Sequence, residues 1–84
     1  NTGDLFVLRY EEELACIALV VKVDDNICEL KNIVTVEKFR GRGFGKQMIK
    51  YLSDTYKVKY DKMIVGTTEN NIPFYVEQGF DKHF

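Results

Sequence analysis

The chain has 84 residues, with 12 Lys and Arg against 13 Asp and Glu, 45% hydrophobic and 13% aromatic residues, one Pro and two Cys. This composition describes one small domain over residues 1–84, able to bury roughly 60–65% of its unfolded surface. Balanced charge and abundant aromatics exclude a disordered chain, and no apolar run approaches the ~20 residues of a membrane-spanning helix.

Residues 5–10 are a short β-type run, Glu11, Glu12 and Glu13 a polar turn, and residues 14–23 an apolar, β-branched strand, so the chain opens as a hairpin. Asp24, Asp25 and Asn26 supply the next turn, because Asx side chains bond to their own backbone. A third strand over residues 27–36 completes an antiparallel meander and leads directly into a glycine-rich segment. From Phe44 the spacing becomes helical: Phe44, Met48, Tyr51, Leu52 and Tyr56 recur at intervals of three and four, an amphipathic helix of about 12 residues. Residues 63–67 form a compact apolar strand. Thr68, Asn70 and Asn71 are candidate N-caps for a two-turn helix over residues 72–78, with Pro73 in its first turn and Gly79 as its left-handed C-cap. Phe80 begins another extended segment. The order is β-β-β-α-β-α, an α+β chain.

In the hairpin turning at residues 24–26, Cys16 opposes a residue near Val34 and lies far from Cys28, which argues against a disulfide. Buried thiols in a reducing, cytoplasmic compartment are expected. One histidine, His83, and no Cys/His cluster leave a metal without a ligand set. No basic stretch followed by an apolar one opens the sequence, and its start at Asn1 instead of Met reads as a trimmed or partial chain.

The near-zero net charge hides a strong polarity. Residues 1–30 carry seven acids and two bases, residues 31–62 nine bases and three acids, and residues 63–84 three acids and one base. Within the basic middle third, Lys38, Arg40, Arg42, Lys46 and Lys50 alternate with Gly41, Gly43 and Gly45. Glycines at a strand-to-helix junction leave backbone N–H groups uncovered where the helix N-terminus is already positive, an arrangement suited to a pyrophosphate. It is not a Walker loop: Arg40 stands where the first glycine belongs, and Gln47 where Ser or Thr should follow the lysine. Nor is it a dinucleotide fingerprint, since Phe44 or Met48 occupies the third glycine position.

The remaining pattern, Arg40-x-x-Gly43-x-Gly45, resembles the pyrophosphate loop of the GCN5-related N-acetyltransferase (GNAT) family. Glu29, Leu30, Lys31, Asn32 and Ile33 look like that family's fourth strand, and residues 73–80 look like its later helix, with an aromatic pair, three residues, then Gly79-Phe80. The resemblance spans about residues 5–80 and implies a GNAT-like mixed sheet, with the family's flanking elements missing at both ends. It also implies acetyl-CoA as cosubstrate, no metal, and an N-acetyltransferase acting by direct attack of an amine in a ternary complex. The alternative is a domain or fragment that binds coenzyme A without catalysis.

The same resemblance implies roles for individual residues. The amides of Gly41, Arg42, Gly43, Phe44 and Gly45 hold the pyrophosphate, with Arg40, Arg42 and Lys46 near the phosphates. Ile33, Val34 and Thr35 correspond to the family's bulged stretch, whose free N–H groups bind the thioester carbonyl and the pantetheine arm. Glu29 matches a strand carboxylate that acts as base, unless it is a surface partner of Lys31. Tyr75 matches the phenol that reaches the coenzyme sulfur, unless it is packed between Phe74 and Phe80. Asn70 substitutes for an asparagine that contacts pantetheine, the family position itself being Thr68. The acceptor is a small-molecule or peptide amine, and open sheet edges invite a homodimer. A nucleic-acid partner is disfavoured, because acidic segments flank the single basic stretch and no aromatic stacking pair accompanies it.

Overall fold

The computed structural model describes residues 3–66 and 71–80. Strands β1 (Gly3–Tyr10), β2 (Glu13–Lys22) and β3 (Ile27–Thr35) form the antiparallel meander, and β4 (Lys62–Val65) pairs parallel with the first part of β3 in the sheet order β1-β2-β3-β4. Between β3 and β4 runs helix α1 (Phe44–Tyr56), as a parallel crossover demands. A second, short helix, α2 (Ile72–Glu77), follows. A 3-10 turn at Glu37–Phe39 separates β3 from the glycine loop, where the sequence suggested a direct passage.

The turns have identifiable causes. Asp24 Oδ1 accepts from the N–H groups of Asn26 and Ile27 at 2.7 and 2.9 Å, the Asx turn anticipated from its sequence. The β1–β2 turn consists of Glu11 and Glu12 at φ 51° and 68°, while Glu13 already pairs with Tyr10.

The core lies between one face of the sheet and α1. Cys16, Ala18 and Val20 of β2, Cys28 and Leu30 of β3, and Met48, Ile49 and Leu52 of α1 are all at most 3% exposed. Both cysteines are free and buried, and Cys16 faces Thr35, one residue from the expected partner. By register, the opposite sheet face carries Leu5, Val7, Ile17, Leu19, Val21, Glu29 and Val34.

A register shift in β3 positions the end of the strand. Leu19 pairs with Asn32 but Val20 with Leu30, so Lys31 is an extra residue without a partner in β2. The bulge therefore sits at Lys31, ahead of residues 33–35, where register with β2 is regular. Its effect is to change parity: beyond it, Ile33 and Thr35 share the core face with Cys28 and Leu30. Thr35 Oγ1 accordingly lies 3.7 Å from Cys16 Sγ.

Candidate functional site

Helix α1 starts abruptly. Gly43 takes the N-cap position at φ 84°, Gly41 has φ 79°, and no side chain caps the helix. The first intrahelical bond runs from Gln47 N–H to Gly43 C=O. None of the N–H groups of residues 41–46 finds an acceptor among the described residues. Such a run of donors at the positive end of a helix dipole, with no acidic residue in the first turn, has the chemistry that suits an anion.

A cleft of about 400 Å³ opens in front of these donors, lined by Thr35 at the end of β3, by Arg40, Gly41, Gly43, Gly45 and Lys46, and by Phe74, Glu77 and Gln78 of and beside α2. Phe39 and Phe44 complete its wall. The cleft is narrow at Gly45, where a Cβ would lie 3.7 Å from Thr35 Oγ1 and 3.8 Å from Phe74 Cζ. Sequence reasoning missed Phe74, Glu77 and Gln78 as walls, because their approach to α1 depends on a chain crossing that local pattern does not encode.

The three loop cations have different environments. Arg40 lines the cleft, and its Nε donates to Thr35 C=O at 3.3 Å, tying the loop to the strand end. Lys46 lines the cleft with its ammonium unpaired among the described residues. Arg42, expected near the phosphates, does not line the cleft: it is folded over the ring of Tyr10, 4.7 Å from the centroid, and donates to the Tyr10 hydroxyl at 3.1 Å. Lys38 is paired with Glu13 at 2.6 Å.

Beyond Leu30, β3 has no strand partner on the β4 side among the described residues, because β4 stops pairing at Val65. Apart from Thr35 C=O, which Arg40 occupies, backbone groups of residues 31–35 on that edge are thereby left for other use, and Thr35 connects this edge to the cleft. Val34 is exposed, and Ile33 packs at the border of the core.

Tyr75 sits on α2 between Phe74 and Phe80, with ring centroids at 5.2 and 5.5 Å. The helix ends in a Schellman motif: Phe80 N–H donates to Tyr75 C=O, Gly79 N–H to Val76 C=O, and Gly79 adopts φ 95°. The contact of Phe80 with Tyr75 is the apolar pair that accompanies that motif, and Phe80 is thus part of the turn. Tyr75 is half-buried and is not among the lining residues of the cleft; burial raises its phenol pKa. Glu29 faces away from α1, half-buried, with Oε1 3.8 Å from Lys31 Nζ. Thr68, Asn70 and His83 lie outside the described residues. Asn71 occupies the N-cap of α2 without a side-chain capping bond. Among the described residues no three metal-ligating side chains are gathered, and no helix is long and apolar enough to cross a membrane.

A family model described as an acetyltransferase (GNAT) domain matches residues 1–82. The chain belongs to the GNAT acetyltransferase family. Its fold superposes on a GNAT family acetyltransferase from Elizabethkingia anophelis with acetyl-CoA bound, at TM-score 0.83 and 30% identity, covering 94% of this chain and 53% of that one. A Bacillus subtilis acetyltransferase in complex with CoA matches at TM-score 0.81 and 25% identity, over 92% of this chain and 53% of that one. Glucosamine-6-phosphate N-acetyltransferase from Arabidopsis thaliana shares the fold at TM-score 0.79 and 24% identity, over 92% and 58% of the two chains. This GNAT chain therefore spans about half the length of the solved structures it matches. Among curated proteins, none matches it.

Proposed function

We propose that the chain binds acetyl-CoA in the cleft before α1 and transfers its acetyl group to an amine of a small molecule or peptide. The observation that carries this reading is the run of N–H groups over residues 41–46 that are unpaired among the described residues, placed at a helix N-terminus and beside Lys46, likewise unpaired among them. A pyrophosphate fits that donor set, because left-handed Gly41 and Gly43 have no heavy atom within 4 Å of where a Cβ would stand. The relatives solved with acetyl-CoA and with CoA support the same ligand.

In the proposed reaction acetyl-CoA supplies an activated thioester. The amine nitrogen forms a bond to the carbonyl carbon, the carbon–sulfur bond breaks, the amine proton passes to a base, and the thiolate is protonated. The open edge of β3 at residues 33–35 offers N–H donors for the carbonyl oxygen and the pantetheine arm. Tyr75, a phenol already protonated at neutral pH and made harder to ionise by burial, serves as donor to the departing sulfur and not as a base. Glu29 accepts the amine proton, directly or through water.

Calorimetric titration of acetyl-CoA into the wild type and Gly43→Asp tests the site. The added carboxylate occupies the N-cap and repels phosphate, so affinity falls by at least about tenfold, a cost of about 1.4 kcal/mol. Equal affinities would sink the assignment. Release of free thiol with a panel of primary amines separates a transferase from a domain that only holds the coenzyme, in which release stays at the hydrolytic background.

A further inference from the structure

Arg42 is the one cation of the glycine loop that turns its back on the cleft. Its guanidinium lies 4.7 Å from the Tyr10 ring centroid and 5.8 Å from those of Phe39 and Phe44. Those three rings form a closed triangle, with centroids 5.8 Å apart for Tyr10 and Phe39, 5.2 Å for Tyr10 and Phe44, and 5.8 Å for Phe39 and Phe44. Phe39 ends the 3-10 turn and Phe44 begins α1, so the triangle fixes both ends of the excursion through residues 40–43. Tyr10 belongs to the edge strand β1 and contributes the hydroxyl that accepts from Arg42 Nη2.

An excursion with two left-handed glycines has access to many backbone conformers, and ordering it into the one that presents the N–H groups of residues 41–46 together costs conformational entropy. A side chain from the middle of that excursion, clamped to the triangle that holds its ends, removes most of the others. Planarity matters: a guanidinium stacks on a ring while one N–H donates sideways, whereas an ammonium is a compact, strongly hydrated point charge.

We infer that Arg42 is a positioning residue, which acts through Tyr10 to hold the glycine loop in its anion-binding conformation and does not itself contact the anion. This rests on the acetyl-CoA reading above for its consequence in binding, although the loop geometry can be measured without ligand.

The test uses wild type, Arg42→Lys, Arg42→Gln, Tyr10→Phe and the Arg42→Gln/Tyr10→Phe double variant. Two readouts apply: CoA affinity by calorimetry, and the amide resonances of Gly41 and Gly43 in the ligand-free protein. Arg42→Lys is expected to behave like Arg42→Gln, with CoA binding about three- to tenfold weaker and both glycine amides displaced, the factor that loss of one stacked, hydrogen-bonded cation covers. Tyr10→Phe, which keeps the ring, shows a smaller loss in the same direction, and adds nothing to Arg42→Gln in the double variant. The inference is overturned if Arg42→Lys retains wild-type affinity and glycine resonances while Arg42→Gln loses affinity, or if the two substitutions are additive, since either pattern describes a direct charge contact. Should an Arg42 variant fail to fold, Tyr10→Phe alone decides: unchanged glycine amides reject the clamp. Absence of CoA binding by the wild type would instead reject the acetyl-CoA reading, with the glycine resonances still reporting on the clamp.

Discussion

Gly43 and Gly45 stand two residues apart in the motif and answer to different physics. Gly43 has φ 84° with open space around its missing Cβ, so its requirement is conformational; Gly45 is helical, and its requirement is room in the cleft beside Thr35 and Phe74. Gly43→Ala is therefore expected to destabilise the fold by about 1 kcal/mol through backbone strain. Gly45→Ala leaves stability unchanged or raises it by up to about 1 kcal/mol, because alanine has the higher helix propensity and its methyl meets neighbours at ordinary contact distance. Urea unfolding of both variants checks the contrast, and equal losses would show that the left-handed conformation is not what Gly43 supplies. At this scale the left-handed glycines and the exposure of Lys46 to the cleft were legible, because a strand-to-helix junction with uncovered N–H groups draws on neighbours in immediate succession. The orientation of Arg42 was not, since its partner Tyr10 is 32 positions away in sequence.

Among the elements, the β1–β2 hairpin carries a local conflict. A two-residue turn whose central residues both have positive φ follows the twist of the strands, but Glu11 and Glu12 are poor residues for that conformation. Replacing Glu11 by Asn and Glu12 by Gly is expected to stabilise the protein by about 1 kcal/mol, read as a rise in the urea midpoint at unchanged slope. A fall in the midpoint would mean that the glutamates make compensating interactions in solution. The sequence placed a turn there from polarity, but the turn type follows from the register that β1 and β2 adopt. The same holds for the bulge at Lys31. The family resemblance put a bulged stretch at Ile33, Val34 and Thr35, and the residues from Ile27 to Thr35 do not themselves mark Lys31 as the extra one, because the two halves each alternate acceptably. Only pairing with β2 and the packing of Leu30 and Ile33 toward α1 decide where the parity breaks. By contrast, Gly79 was readable as the left-handed C-cap of α2, although Phe80, expected to begin an extended segment, closes the Schellman turn instead.

For the molecule as a whole, packing against α1 and α2 sets the response to pH. Burial raises the pKa of the Cys16 and Cys28 thiols and of the Tyr75 phenol, and burial together with the Asp4 carboxylate, which accepts from the hydroxyl at 2.7 Å, raises that of Tyr56. Each group is neutral when protonated, so the unfolded chain ionises first as pH rises. Stability is complete below the ordinary thiol pKa of about 8.5 and is lost progressively above it, as pH climbs toward the raised values of the folded state. The unfolding free energy is expected to decline from about pH 8.5 upward, with a shallower slope between about pH 8.5 and 10 in a Cys16→Ala/Cys28→Ala variant. Identical slopes in the two proteins would show that the thiols do not contribute.

What the sequence determined by itself was the order of the elements, the apolar stripe of α1 except that Ile49 is buried there and Tyr51 exposed, and the run of glycines among cations at the strand-to-helix junction, all properties of neighbours within a few positions. Tertiary structure alone decided the parallel pairing of β4, the bulge at Lys31, the wall that α2 adds to the cleft, and the division of labour among the cations. Each of those depends on surfaces brought together from distant parts of the chain, and side-chain direction in a sheet changes with every single-residue shift in pairing. The three loop cations look alike in the sequence; in the fold one ties the loop to β3, one clamps it to β1, and one lines the cleft unpaired among the described residues.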